Sequence, residues 1–82
     1  MISLDDFREA RVAISGELAR TPLVRLNAPD SKQKIYLKLE NLQPVASFKI
    51  RGAINAFRSA PVEILRKGVL TASAGNWAQG VA

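Results

Sequence analysis

The sequence predicts an α/β fold, the opening part of a three-layer arrangement built on a parallel sheet. The first observation is order: a β-type segment, Ile35-Tyr36-Leu37-Lys38-Leu39, is followed by a stretch with helical spacing and then by a second β-type run, Val69-Leu70-Thr71-Ala72-Ser73. Strand, helix, strand in this order is a βαβ unit, whose crossover between parallel strands is right-handed. The second observation is size. A parallel sheet needs cover on both faces, and two strands in a chain of 82 residues leave too little material to supply it. Residues 1–82 are therefore expected to form one piece of a larger α/β protein, incomplete in this chain.

Each element has its own signal. From Ser3 to about Ser15, Leu4, Phe7, Ala10 and Ile14 recur at helical spacing, Ser3 is placed to cap, and Asp5 and Asp6 suit the positive end of the helix dipole. Gly16 is the expected stop. Thr21-Pro22-Leu23-Val24-Arg25-Leu26 is expected to be extended, since Pro22 biases Thr21 away from helix, and Asn27 to Ser31 is a turn cluster. After the strand at 35–39, Pro44 closes a loop. Ser47 is expected to cap a helix whose buried stripe is Ile50, Ile54 and Phe57, and Pro61 to end it. Past the run at 69–73, Gly75 is expected to make a tight turn and Asn76 to Ala82 to open another helix.

Composition narrows the function classes. The apolar share fits a globular chain. No apolar run approaches the ~18 to 20 residues that span a bilayer, and the acidic start Met1 to Asp6 is unlike a signal peptide, so the expected setting is the cytoplasm, without membrane partners. The absence of cysteine removes disulfides and thiolate chemistry, and the absence of histidine removes the Ser-His-Asp triad and most zinc sites. No cluster of residues suits a metal. The net charge of +5 favours anionic partners, a phosphorylated cofactor among them. Its arginines and lysines are scattered, which argues against nucleic acid.

In open α/β sheets ligands bind beyond the carboxyl ends of the strands. Two segments are expected there: the loop Gln43 to Lys49 and the turn Ser73-Ala74-Gly75-Asn76-Trp77, about two dozen residues further on. Lys49 stands in the first turn of a helix, where the dipole disfavours a cation, and Arg51 adds a positive neighbour. Both favour a neutral amine of the kind a Schiff-base lysine needs. A solvated surface lysine is the plainer reading of the same position.

The run Lys38-Leu39-Glu40-Asn41-Leu42-Gln43-Pro44-Val45-Ala46-Ser47-Phe48-Lys49-Ile50-Arg51-Gly52-Ala53 resembles the cofactor-lysine motif of the pyridoxal-phosphate-dependent serine/threonine dehydratases and serine racemases, which share the tryptophan-synthase-β-like fold. Thr71 to Ala82 is similar to that family's substrate-carboxylate loop, and Arg20-Thr21-Pro22-Leu23 to its N-terminal signature. The resemblance implies a lyase that converts L-threonine or L-serine into a 2-oxo acid and ammonia with pyridoxal 5'-phosphate as cofactor. It also implies that the complete protein is a homo-oligomer. By resemblance, Lys49 carries the cofactor as a Schiff base and later removes the α-proton, Phe48 packs on the pyridine ring, and Asn76 bonds the ring hydroxyl. Ser73 and the backbone amides of Ala74, Gly75, Asn76 and Trp77 hold the substrate carboxylate, as donors at a helix start suit an anion.

Plainer readings stand beside these: Phe48 as apolar cover for the helix start, Asn76 as an N-cap, Ser73 as strand-end polarity, Trp77 as a packing residue. Gly75 and Gly80 suggest a phosphate loop, but Val81-Ala82 stands where Lys-Ser/Thr is required. The chain departs from the family at Trp77, where dehydratases usually carry histidine and cysteine synthases threonine. This leaves the substrate less fixed than the family. The family's glycine-rich phosphate cradle and the partner of the pyridine nitrogen lie downstream of these motifs, so the 82 residues alone are expected to bind cofactor poorly and to be inactive. A serine racemase, a hydroxyaspartate dehydratase and a truncated, non-catalytic remnant share the same features.

Overall fold

The N-terminal helix shows most directly how local sequence sets local structure. In a computed structural model that describes residues 1–82, α1 spans Leu4–Ala13. Ser3 Oγ accepts the Asp6 N–H at 3.2 Å, and the Asp6 carboxylate accepts the Ser3 N–H at 2.6 Å. This reciprocal capping box satisfies two donors, one of them an N–H that a helix start leaves orphaned. The Ser3 bonds also hold the Asp6 carboxyl below its ordinary range. The helix ends at Ile14, and Gly16 takes the left-handed turn with φ of 88° that a Cβ disfavours. No residue of α1 is buried.

The two extended segments expected at 21–26 and 35–39 are present, as β1, Leu23–Arg25, and β2, Tyr36–Lys38. They pair with each other, antiparallel, with Leu23 opposite Lys38, Val24 opposite Leu37 and Arg25 opposite Tyr36. The Leu26 N–H to the Ile35 carbonyl and the Leu39 N–H to the Pro22 carbonyl extend the ladder at either end. This corrects the expectation of a parallel sheet within these residues. The run 69–73 forms no strand, and none of its backbone groups bonds to another. The physical reason is loop length: the turn cluster closes a hairpin locally, whereas pairing across a helical crossover costs more ordering and would leave a two-strand sheet open on both faces. What the chain forms is a small α/β arrangement of one hairpin and four helices.

The longest helix, α2, spans Lys49–Ser59 and buries Ile50 and Ala53, with Ile54 and Phe57 half-buried, close to the stripe its spacing predicts. Ala60 is extended before Pro61, as a residue preceding proline prefers. Pro61 also begins a further short helix, α3, Val62–Leu65, which the apolar pattern had not marked. The last helix, α4, spans Asn76–Val81 and packs across α2. Gly80 makes that approach possible, since a Cβ there would lie 3.4 Å from both Ala53 Cβ and Ile50 Cα. Beyond Ile50 and Ala53, the buried residues are Thr21, Gln43 and Ser47. The centre of the molecule is thus mostly polar, and its order depends on hydrogen bonds more than on an apolar core. No helix is long and apolar enough to cross a membrane.

Candidate active site

The loop that leads into α2 is fixed from beneath by one polar network. A single 3-10 turn, Glu40–Leu42, follows β2 and places Glu40 against Arg51 of α2 and Thr21 of the segment before β1. The Arg51 guanidinium meets the carboxylate twice, through Nε to Oε1 and through Nη2 to Oε2 at 3.1 Å. Thr21 Oγ1 donates to Oε2 at 2.6 Å and Gln43 Nε2 at 3.1 Å. Gln43 also pairs its amide with the backbone of Ala19, accepting at 3.0 Å and donating at 2.9 Å. The bond from Arg51, against the opposing cost of burial and with help from Thr21, Gln43 and the Arg51 charge, holds the Glu40 carboxyl down at about 2. The same contact raises Arg51.

From Gln43 the chain turns through Ala46, the one non-glycine residue with positive φ, at 55°. The Ala46 N–H donates to the Gln43 carbonyl at 2.8 Å. Ser47 is buried, and its Oγ accepts the Lys49 N–H at 3.2 Å. The helix cap is Phe48, one residue later than expected, and it has helical dihedrals and no side-chain capping bond. Ser47 therefore satisfies an opening N–H of α2 from outside the cap position. The Phe48 ring is 64 % exposed. Lys49 is the first residue of α2, is exposed, and its amine takes part in no hydrogen bond or ion pair.

The second motif lies at the other helix of the pair. Ser73 Oγ accepts the Gly75 N–H at 3.2 Å, so Ser73 organises its own turn. Gly75 caps α4 with φ of −147°, and Asn76 is the first helical residue, not the cap. The N–H groups of Asn76 and Trp77 bond to no other backbone group, and the Asn76 side chain is exposed. Trp77 turns away from this loop. Its indole Nε1 donates to Thr71 Oγ1 at 3.0 Å and the ring lies beside Gly52. There it lines an open apolar groove of about 270 Å³ with Ala53, Phe57, Leu70 and Val81. Its bulk is thus spent on packing α4 against α2.

Helix packing brings the two motifs onto one helix pair, with Trp77 at Gly52 and Gly80 at Ile50 and Ala53. No hydrogen bond joins Lys49 or Phe48 to residues 73–77. The free Lys49 amine, the exposed Phe48 ring and the two unclaimed N–H groups are of the chemical types that a pyridoxal aldehyde, its ring and a carboxylate would take. The Glu40 network was not foreseen. No local pattern marks it, because Thr21, Glu40, Gln43 and Arg51 meet only through contacts between separate segments.

Comparison with known proteins shows the family of the chain. A family model described as pyridoxal-phosphate dependent enzyme matches residues 14–82, and the chain belongs to that family. The family resemblance drawn from the Lys49 motif is thereby borne out, and the family's cofactor is pyridoxal phosphate. Among similar proteins are the L-threonine dehydratase catabolic TdcB of Staphylococcus aureus strain USA300, 45% identical over 85 residues, and that of strain N315, 46% identical over 85 residues. Each alignment covers 100% of this chain and 25% of the relative, so the chain spans about a quarter of the length of the curated relatives it matches.

Proposed function

We propose that the chain is the N-terminal part of a cytoplasmic pyridoxal-phosphate-dependent lyase that converts L-threonine or L-serine into a 2-oxo acid and ammonia. The observation that carries this reading is the whole-chain identity to L-threonine dehydratases, together with a free amine at the opening of α2. Lys49 Nζ would hold the cofactor at its aldehyde carbon and, once free, would serve as the base for the substrate α-proton. Phe48 would pack against the ring and limit water there, and Asn76 would hydrogen-bond the ring hydroxyl. The Ser73 hydroxyl, as a donor, and the unclaimed N–H groups of Ala74, Asn76 and Trp77 would hold the substrate carboxylate, while the Gly75 N–H stays with Ser73 Oγ. When bound, the pyridoxal ring supplies an electron sink for the pair left on the α-carbon. Over the whole reaction the substrate loses one water and takes one up again, which leaves the 2-oxo acid and ammonia without any oxidant.

The phosphate needs several backbone donors, and by resemblance the glycine-rich cradle that supplies them lies downstream of these two motifs. The 82 residues alone are therefore expected to hold the cofactor weakly and to turn over no threonine. The complete enzyme would assemble as a homo-oligomer. Product analysis on both substrates separates a lyase from a racemase. The direct test is reduction of the chain with borohydride in the presence of pyridoxal 5'-phosphate, followed by peptide mapping. Lys49 is expected to carry the label above Lys32, Lys34, Lys38 and Lys67, and preferential labelling of any of those four would remove Lys49 from its role.

A further inference from the structure

We propose that Glu40 is the residue that positions Lys49, because one carboxylate holds both ends of the loop that carries the lysine. This rests on Lys49 being the cofactor lysine and adds how its amine is aimed. The Lys49 side chain bonds to nothing, so only the backbone frame around it decides where the amine lies. That frame enters at Gln43, which is buried and donates to Glu40 Oε2 while clasping the Ala19 backbone. It leaves through Arg51, which meets both oxygens of the same carboxylate. Thr21 Oγ1 takes a further place on Oε2, so four donors converge on a group with about four lone-pair sites and little freedom remains.

The geometry of the exit matters most. A guanidinium fork bound at two points fixes its own plane, as a single charge contact cannot. Residues two apart on a helix differ by about 200° around its axis. Holding Arg51 therefore fixes the rotation of the first turn of α2 from the side opposite Lys49, and leaves the face of Lys49 free for a ligand. Between the two anchors the loop passes through Ala46 in the left-handed region, a conformation that relaxes unless its flanks are held. With its value held at about 2 against an ordinary 4.5, the carboxyl keeps its charge into the acid range where a free glutamate loses it.

The test compares the native chain with E40Q and R51K. R51K keeps the charge but loses the fork, and E40Q keeps the shape but loses the charge. Each protein is trapped with pyridoxal 5'-phosphate and borohydride, and the label at Lys49 is expressed relative to the mean at Lys32, Lys34, Lys38 and Lys67. E63Q, which removes an exposed carboxylate on α3, serves as the control. The native chain and the control are expected to favour Lys49 several-fold, and both latch variants to lose most of that preference while keeping the far-UV helical signal. Unchanged preference in the two variants would overturn the role of Glu40 and leave Lys49 as the cofactor lysine. No preference in the native chain would remove both. Should a variant lose its helices, the native chain decides by nuclear magnetic resonance. The Arg51 Nε–H and the Lys49 amide are expected to shift with the acid midpoint of the Glu40 carboxyl, and different midpoints would overturn the proposal.

Discussion

Ala46 sits at φ of 55° between Gln43 and Ser47, where a side chain meets its own carbonyl and glycine does not. Relief of that contact is offset in part by the greater freedom glycine gives the unfolded chain. The net expectation for A46G is a gain of about 0.5–1 kcal/mol, and for A46V a loss of similar size, because β-branching worsens the same clash. Urea unfolding of the three proteins checks both signs, and an A46G chain less stable than the native one would show that the loop is not strained at this position. At the scale of residues the sequence nominates Lys49, Phe48 and Asn76 for the proposed site through their motifs. It was silent on what supports them. Glu40 and Arg51 are eleven positions apart, and nothing in the periodicity of either segment says that they meet. Only a contact in three dimensions joins them, so the latch had no local signature to read.

Elements were legible where their causes are local. Ser3 and Asp6 form the cap that α1 was expected to have, and Gly16 and Pro61 end their helices by backbone constraints carried within the residue itself. Strand partners were not legible. Val69 to Ser73 has the composition of a strand, but pairing is settled by which other strand is near, and the hairpin between β1 and β2 takes the closest partner. The helix α4 illustrates dependence on neighbours. Six residues cannot hold a helix in water alone, so its order derives from packing on α2 at Gly80. G80L places a branched side chain where even a Cβ would touch Ala53 and Ile50, and is expected to push α4 from α2 at a cost of about 1–3 kcal/mol. Trp77 is the only tryptophan, and its fluorescence reports the event: loss of the Gly52 contact and the Thr71 bond should move its emission to longer wavelength. Emission identical to that of the native chain would mean that Gly80 is not the contact that holds α4.

At the scale of the whole molecule, the chain leaves more surface in water than its length requires. A compact monomer of 82 residues exposes about 4,800 Å², whereas this one exposes 6932 Å². Its radius of gyration is 15.9 Å, where compact folding gives about 12 Å. Large apolar side chains contribute to it: Leu70 is 98 % exposed, Val69 beside it is open, and β1 and β2 present Leu23, Tyr36 and Leu37 to solvent. Little burial offsets the entropy of ordering the chain, since only Ile50 and Ala53 form a buried apolar core. The chain by itself is therefore expected to be stable by no more than about 3 kcal/mol, to unfold over a broad urea range, and to bind an apolar dye in buffer. With the 69–73 backbone unpaired on both sides, its apparent mass by light scattering should rise with concentration, as open strand-type edges recruit one another. A sharp transition worth more than about 5 kcal/mol in a concentration-independent monomer would contradict this expectation. It would mean that the hydrogen-bonded centre of Thr21, Gln43, Glu40 and Arg51 carries the fold without an apolar core.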